Sequence, residues 1–146
     1  MNDYLNIPLP ASDGKTYALK DFAGKKLIVY FYPKDNTSGC TLQAKDFSHY
    51  QDAFAAKGYT IIGVSRDSLK SHHNFIEKQD LSILLLSDPE QKLIQAFDVI
   101  KEKSMYGKKY LGVDRSTFVL DEDGKIIQSL RGVKAKGHAE MLLESL

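Results

Sequence analysis

The sequence has a single cysteine, Cys40, in 146 residues. One thiol cannot close an internal disulfide, so a disulfide-stapled scaffold is excluded. A reducing compartment fits, and the cytoplasm is the expected location. Long apolar runs are also missing. The longest, residues 27–32 and 83–86, are far too short to cross a bilayer. The first residues, Met1-Asn2-Asp3-Tyr4-Leu5-Asn6, carry neither a basic n-region nor an apolar h-region, so no signal peptide is expected. There is no excess of one charge. Lys and Arg number 20 against 19 Asp and Glu, a formal net charge of +1, which argues against a nucleic-acid footprint. Repeats, linkers and low-complexity tracts are absent as well.

What is present is the composition of a globular protein, with 42% hydrophobic and 27% charged residues. The chain is long enough to bury a core and is read as one domain, residues 1–146. Ser12-Asp13-Gly14 marks the turn of an N-terminal β-hairpin. Residues 26–32 form a continuous apolar run, hence a buried central strand. Helical patterning over 39–57 stops at Gly58. Further strands are expected over 59–65, 82–87, 116–120 and 125–130. Further helices are expected over 69–79, 90–97 and 137–146. Strands alternating with helices, then a late hairpin, predict an α/β fold. Its mixed central sheet would be flanked by helices on both faces.

Cys40 closes the segment Tyr30-Phe31-Tyr32-Pro33-Lys34-Asp35-Asn36-Thr37-Ser38-Gly39-Cys40. The segment runs from strand through polar turn to helix start. Thr37 or Ser38 is placed to cap that helix. The unpaired N–H groups and the dipole of its first turn favour a thiolate. Cys40, Phe47 and Phe54 are spaced seven apart, with Tyr50 beside them, so the sulfur is expected half-buried on the core side. A lone cysteine is more often structural; the strand–turn–helix context favours a reactive one.

Other motif-like strings carry less. Asp13-Gly14-Lys15-Thr16 lacks the upstream glycine of a phosphate loop and reads as turn. Asp121-Glu122-Asp123-Gly124 lacks calcium-loop spacing and reads as a solvated turn. His49, His72, His73 and His138 make no metal spacing and are expected on exposed helix surfaces. Residues 105–110, basic and aromatic, read as a surface loop.

Pro33-x-x-x-Thr37-x-x-Cys40 is similar to the signature of the peroxiredoxins. The fuller string from Phe31 to Thr41 resembles their PrxQ, or bacterioferritin comigratory protein, subgroup. The stretch Gly112-Val113-Asp114-Arg115-Ser116-Thr117-Phe118-Val119-Leu120-Asp121 resembles the strand that carries the family's essential arginine. The resemblance implies a thioredoxin-like fold and thiol-dependent reduction of hydrogen peroxide and organic hydroperoxides, without cofactor or metal. It assigns Cys40 as the peroxidatic sulfur and Thr37 as the hydroxyl that orients the peroxide. Arg115 becomes the guanidinium at the thiolate, and Pro33 the ring that shields it.

The chain departs from that pattern in two ways. Lys45 and Ile76 stand where relatives carry a second, resolving cysteine. Ser38 replaces the usual proline and gives up its fixed φ. A lone sulfenate must then be resolved by an external thiol, such as thioredoxin, glutaredoxin or glutathione. A monomer without nucleic-acid or membrane partners is expected. The competing class is a non-catalytic peroxide sensor or interaction module on the same fold, which turnover with a thiol would separate from a peroxidase.

Overall fold

The computed structural model describes residues 3–146; Met1 and Asn2, included in the expected domain, lie outside the described residues. A 3-10 turn (Asp3–Asn6) leads to a short hairpin of β1 (Leu9–Pro10) and β2 (Thr16–Tyr17). A second 3-10 turn (Leu19–Phe22) leads to β3 (Lys26–Phe31). Then come α1 (Ser38–His49), α2 (Gln51–Ala56), β4 (Tyr59–Ser65), α3 (Leu69–Gln79), β5 (Leu84–Ser87) and α4 (Lys92–Ala96). The chain ends with β6 (Ile100–Met105), β7 (Lys108–Val113), β8 (Ser116–Leu120), β9 (Ile126–Leu130) and α5 (His138–Ser145).

The central sheet has five strands in the order β5-β4-β3-β8-β9. β3, β4 and β5 run parallel, while β8 and β9 add antiparallel pairs. β3 is central and buried on both faces, which explains its unbroken apolar run. Its side chains alternate. Leu27, Val29 and Phe31 join one core with Leu93, Ile94, Phe97 and Phe118. Ile28 and Tyr30, with Tyr32 just past the strand's end, join the other with Cys40, Phe47, Phe54, Phe75 and Leu142. The crossovers from β3 to β4 and from β4 to β5 step the same way across the sheet, and right-handed connections then put their helices on one face. Accordingly α1, α2, α3 and α5 contribute to the second core, while α4 and the 3-10 turns cover the first. Helices thus lie on both faces, as expected, but unequally.

Two expectations change. The helix read over 39–57 is two helices, broken at Tyr50 (φ −92°, ψ 4°). The break leaves Phe47 and Phe54 together in the second core, so the sevenfold spacing still describes one buried face. The stretch read as a surface loop is the turn of an antiparallel hairpin, β6 with β7, paired from Ile100↔Val113 to Met105↔Lys108. Its turn residues Tyr106 and Gly107 both have positive φ, 52° and 76°, the twist that two-residue hairpin loops require. Met105, Tyr106, Tyr110 and Leu111 are exposed on it. Those strands lack an apolar face over most of their length, so no period-two pattern announced them.

Candidate functional site

β3 delivers the chain to a loop over residues 33–37, in which Asn36 takes φ 63°. Thr37 is the N-cap residue of α1, with extended backbone (φ −83°, ψ 156°), but its side chain does not cap. Instead its hydroxyl donates to the Lys34 carbonyl at 2.8 Å. The first helical bond runs from the Thr41 N–H to the Thr37 carbonyl at 2.8 Å. Cys40 is therefore the third residue of α1, within the turn whose N–H groups have no helical partner. It is only 1% exposed, more deeply buried than the half-buried position expected. The reason is its place on the inner face of α1, beside Ala44 and Phe47 in the second core.

Arg115 reaches the same point from 75 residues away. β8 pairs antiparallel with β3 in the register Phe31↔Ser116, so the residue before Ser116 lies just past the C-terminal end of β3. The Arg115 carbonyl accepts the Val133 N–H at 2.9 Å. Its guanidinium forks: Nη2 donates to Cys40 Sγ at 3.3 Å and Nη1 to Gln43 Oε1 at 2.6 Å. A Cβ on Gly39 would lie 3.1 Å from Nη2, so glycine there leaves room for the close approach. Pro33 is half-buried and Thr37 exposed, both in the loop leading to α1.

Sequence reasoning missed Gln43 and Tyr30. Gln43 lies one helical turn after Cys40, and the i, i+3 spacing that puts both on one guanidinium was available. Its Nε2 and the Tyr30 hydroxyl are, among the described residues, the buried side-chain polar atoms without a hydrogen-bond partner. Burial raises the Tyr30 phenol well above its ordinary value; nearby Cys40 and Asp35 raise it further, and Arg115 opposes them. Lys103, midway along β6, reaches back to the base of the hairpin and donates to the Val113 carbonyl at 2.7 Å. Burial pushes its ammonium down, with Asp114, Arg115 and Cys40 among the charges acting on it.

Two of the histidines are not surface groups. His72 is 0% exposed, with Nδ1 2.7 Å from Asp35 Oδ2 and Nε2 2.9 Å from the Leu86 carbonyl. His138 is 2% exposed and its Nε2 lies 2.8 Å from Thr117 Oγ1. Each sits on the core side of its helix, where a hydrogen-bond partner from the sheet offsets its desolvation. Asp35, Asp67 and His72 each bring a ligand atom within 4.8 Å of the others. The His72 nitrogens and both Asp35 oxygens already serve hydrogen bonds there, so a cation would have to displace them.

Burial, helped by the Arg115 charge, lowers the His138 pKa below its ordinary value. Its folded form is the neutral one. The stability it contributes is complete above about pH 6.5, the unfolded value, and is lost as pH falls through the lower folded value. Urea unfolding from pH 8 downward is expected to show that loss, and His138→Gln is expected to remove it. An unchanged profile in the variant would contradict this.

The AhpC/TSA family profile matches residues 2–129. Peroxiredoxin Bcp of Xanthomonas campestris is 49% identical over 97% of this chain and 88% of its own length. Peroxiredoxin Bcp of Bacillus subtilis is 46% identical over 97% of this chain and 90% of its own. Among solved structures, the bacterioferritin comigratory protein of X. campestris, studied for alkyl peroxide reduction, superposes with a TM-score of 0.93 at 46% identity. That match covers 99% of this chain and 92% of the other. A thioredoxin-like sheet with an arginine held at a lone thiol, and relatives nearly half identical along almost the whole chain, identify the protein as a member of the AhpC/TSA family, among the Bcp-type peroxiredoxins.

Proposed function

We propose that the protein is a thiol-dependent peroxidase working through Cys40 alone, with hydrogen peroxide and alkyl hydroperoxides as substrates. The observation that carries this reading is the Arg115 guanidinium, forked between Cys40 Sγ and Gln43 Oε1 at 3.3 and 2.6 Å. The Cys40 thiolate attacks the terminal oxygen of ROOH. An S–O bond forms, the O–O bond breaks, and RO⁻ leaves with the bonding pair and takes up a proton as ROH. Negative charge moves from sulfur to the leaving oxygen. Arg115 beside the sulfur stabilises that shift, and its fixed planar donors suit the task better than a lysine.

Thr37 orients the peroxide. Its own proton is committed to the Lys34 carbonyl, so toward a substrate its oxygen is free to accept a hydrogen bond. Pro33 has no N–H to draw water toward the loop and shields the sulfur. No cofactor or metal enters the cycle.

Cys40–SOH then condenses with an external thiol to a mixed disulfide and water. A second thiol releases Cys40–SH and carries the disulfide away. Thioredoxin, glutaredoxin and glutathione are the candidate reductant classes. Because Cys40 is only 1% exposed, the first turn of α1 must open for the mixed disulfide to form. Among the described residues no helix is long and apolar enough to cross a membrane; with one free thiol, a monomer in the reducing cytoplasm fits.

Mass spectrometry after one equivalent of peroxide tests the chemistry. An added oxygen, about 16 Da, is expected on Cys40 and not in a Cys40→Ser control. With a thiol supplied, many equivalents of peroxide should be consumed. Unmodified Cys40 would overturn the reading; a single turnover with every thiol tried would favour the sensor.

A further inference from the structure

The buried pair of Asp35 and His72 has no part in the chemistry above, yet Asp35 lies in the loop that leads to Cys40. Asp35 is 4% exposed and each carboxylate oxygen is occupied. Oδ1 accepts the Tyr32 hydroxyl at 2.6 Å; Oδ2 accepts Ser71 Oγ at 2.8 Å and faces His72 Nδ1 at 2.7 Å. On its far side His72 Nε2 meets the Leu86 carbonyl, which only accepts, so Nε2 carries a proton. Burial pushes the Asp35 carboxyl up, but the His72, Tyr32 and Ser71 hydrogen bonds outweigh it and hold the group below its ordinary value. His72 Nδ1 and Asp35 Oδ2 share one short hydrogen bond, out of contact with water. The other titratable groups facing the pair are Tyr32, just after β3, and Asp67, after β4.

The Lys34–Asp35 peptide unit connects this pair to the site. Its N–H donates to Asp67 Oδ2 at 2.9 Å, and its carbonyl accepts the Thr37 hydroxyl at 2.8 Å. Asp67 is held in turn by Ser65 Oγ at 2.6 Å. One peptide plane is thus fixed at both ends, and one end sets where Thr37 points. Asn36, next along, sits at φ 63°, a left-handed conformation that Asn adopts more readily than most non-glycine residues.

We propose that His72 is a positioning residue for the Cys40 reaction: from α3 it clamps Asp35, which fixes the Lys34–Asp35 peptide and so the Thr37 hydroxyl and the first turn of α1. The clamp touches neither sulfur nor peroxide. It acts through the loop, and it rests on the peroxidase reading given above. Its loss affects a reaction that needs an oriented peroxide more than one that needs only an accessible thiolate.

The test compares two rates on the intact protein, Cys40 oxidation by hydrogen peroxide and Cys40 alkylation by iodoacetamide. For His72→Gln and Asp35→Asn, peroxide oxidation is expected to fall roughly ten- to a hundredfold, with alkylation within about twofold of the parent. The double variant should lose about as much as either single one, because the two residues act as a unit. Ser71→Ala removes one Asp35 donor at the edge of the network, and should shift the ratio of the two rates in the same direction by less. It serves if the buried variants fail to fold. An unchanged ratio in the folded variants, or a parallel fall of both rates, would overturn the clamp. A parent protein whose Cys40 reacts with peroxide no faster than a free thiol would instead overturn the peroxidase reading beneath it.

Discussion

Replacing Arg115 by lysine is expected to slow the reaction of Cys40 with hydrogen peroxide by about 10²–10³-fold, the loss seen when one fixed donor is removed from a developing anion. The guanidinium spans two acceptors, Cys40 Sγ at 3.3 Å and Gln43 Oε1 at 2.6 Å. An ammonium is a point charge on a flexible stem and cannot keep that fork. Its position comes from the backbone, through the Phe31↔Ser116 register and the bond from the Val133 N–H. Both survive the substitution, so the unfolding midpoint should change little. Stopped-flow mixing with peroxide checks the prediction; a variant within about threefold of the parent would remove Arg115 from the mechanism.

Ile76→Cys is expected to change the product of oxidation. Ile76 is on α3, half-buried against the core that contains Cys40. In the parent, the sulfenate waits for an external thiol and is open to a second peroxide, which takes it to sulfinate. In the variant, the introduced thiol competes from within the same molecule, at high effective concentration. A disulfide needs the two Cα atoms within about 4.4–6.8 Å, and Cys40 is 1% exposed in the first turn of α1, so that turn must open for the two sulfurs to meet. Intact-mass spectrometry after one equivalent of peroxide should show loss of about 2 Da in place of the added oxygen. Sulfinate at excess peroxide should nearly disappear. A sulfenate as persistent as the parent's would mean that the first turn of α1 does not open toward α3, and would bear equally on how the natural reductant gains access.

Along the chain, the sequence was most legible where burial imposes a pattern. β3 reads directly because it is apolar on both faces, and Cys40, Phe47 and Phe54 read as one face although the chain breaks at Tyr50. The β6–β7 hairpin did not read. Most of its side chains are exposed and its register is carried by backbone hydrogen bonds, to which no residue type is specific. His72 and His138 were misplaced for a related reason. A polar residue on a helix looks solvated until its partner is known, and the partners Asp35, Leu86 and Thr117 lie 37, 14 and 21 residues away.

By itself the sequence determined that the protein has one thiol, that the thiol stands at a strand-to-helix junction, and that no second cysteine is present to resolve it. Those are matters of residue identity and local order. Only the tertiary structure decided how deep the sulfur lies, that Gln43 shares Arg115 with it, and that Asp35 and His72 hold the loop beneath Thr37. These depend on the pairing of β3 with β8 and on the packing of α3 over the sheet. Such contacts are set by which surfaces exclude water together, and local sequence does not encode them.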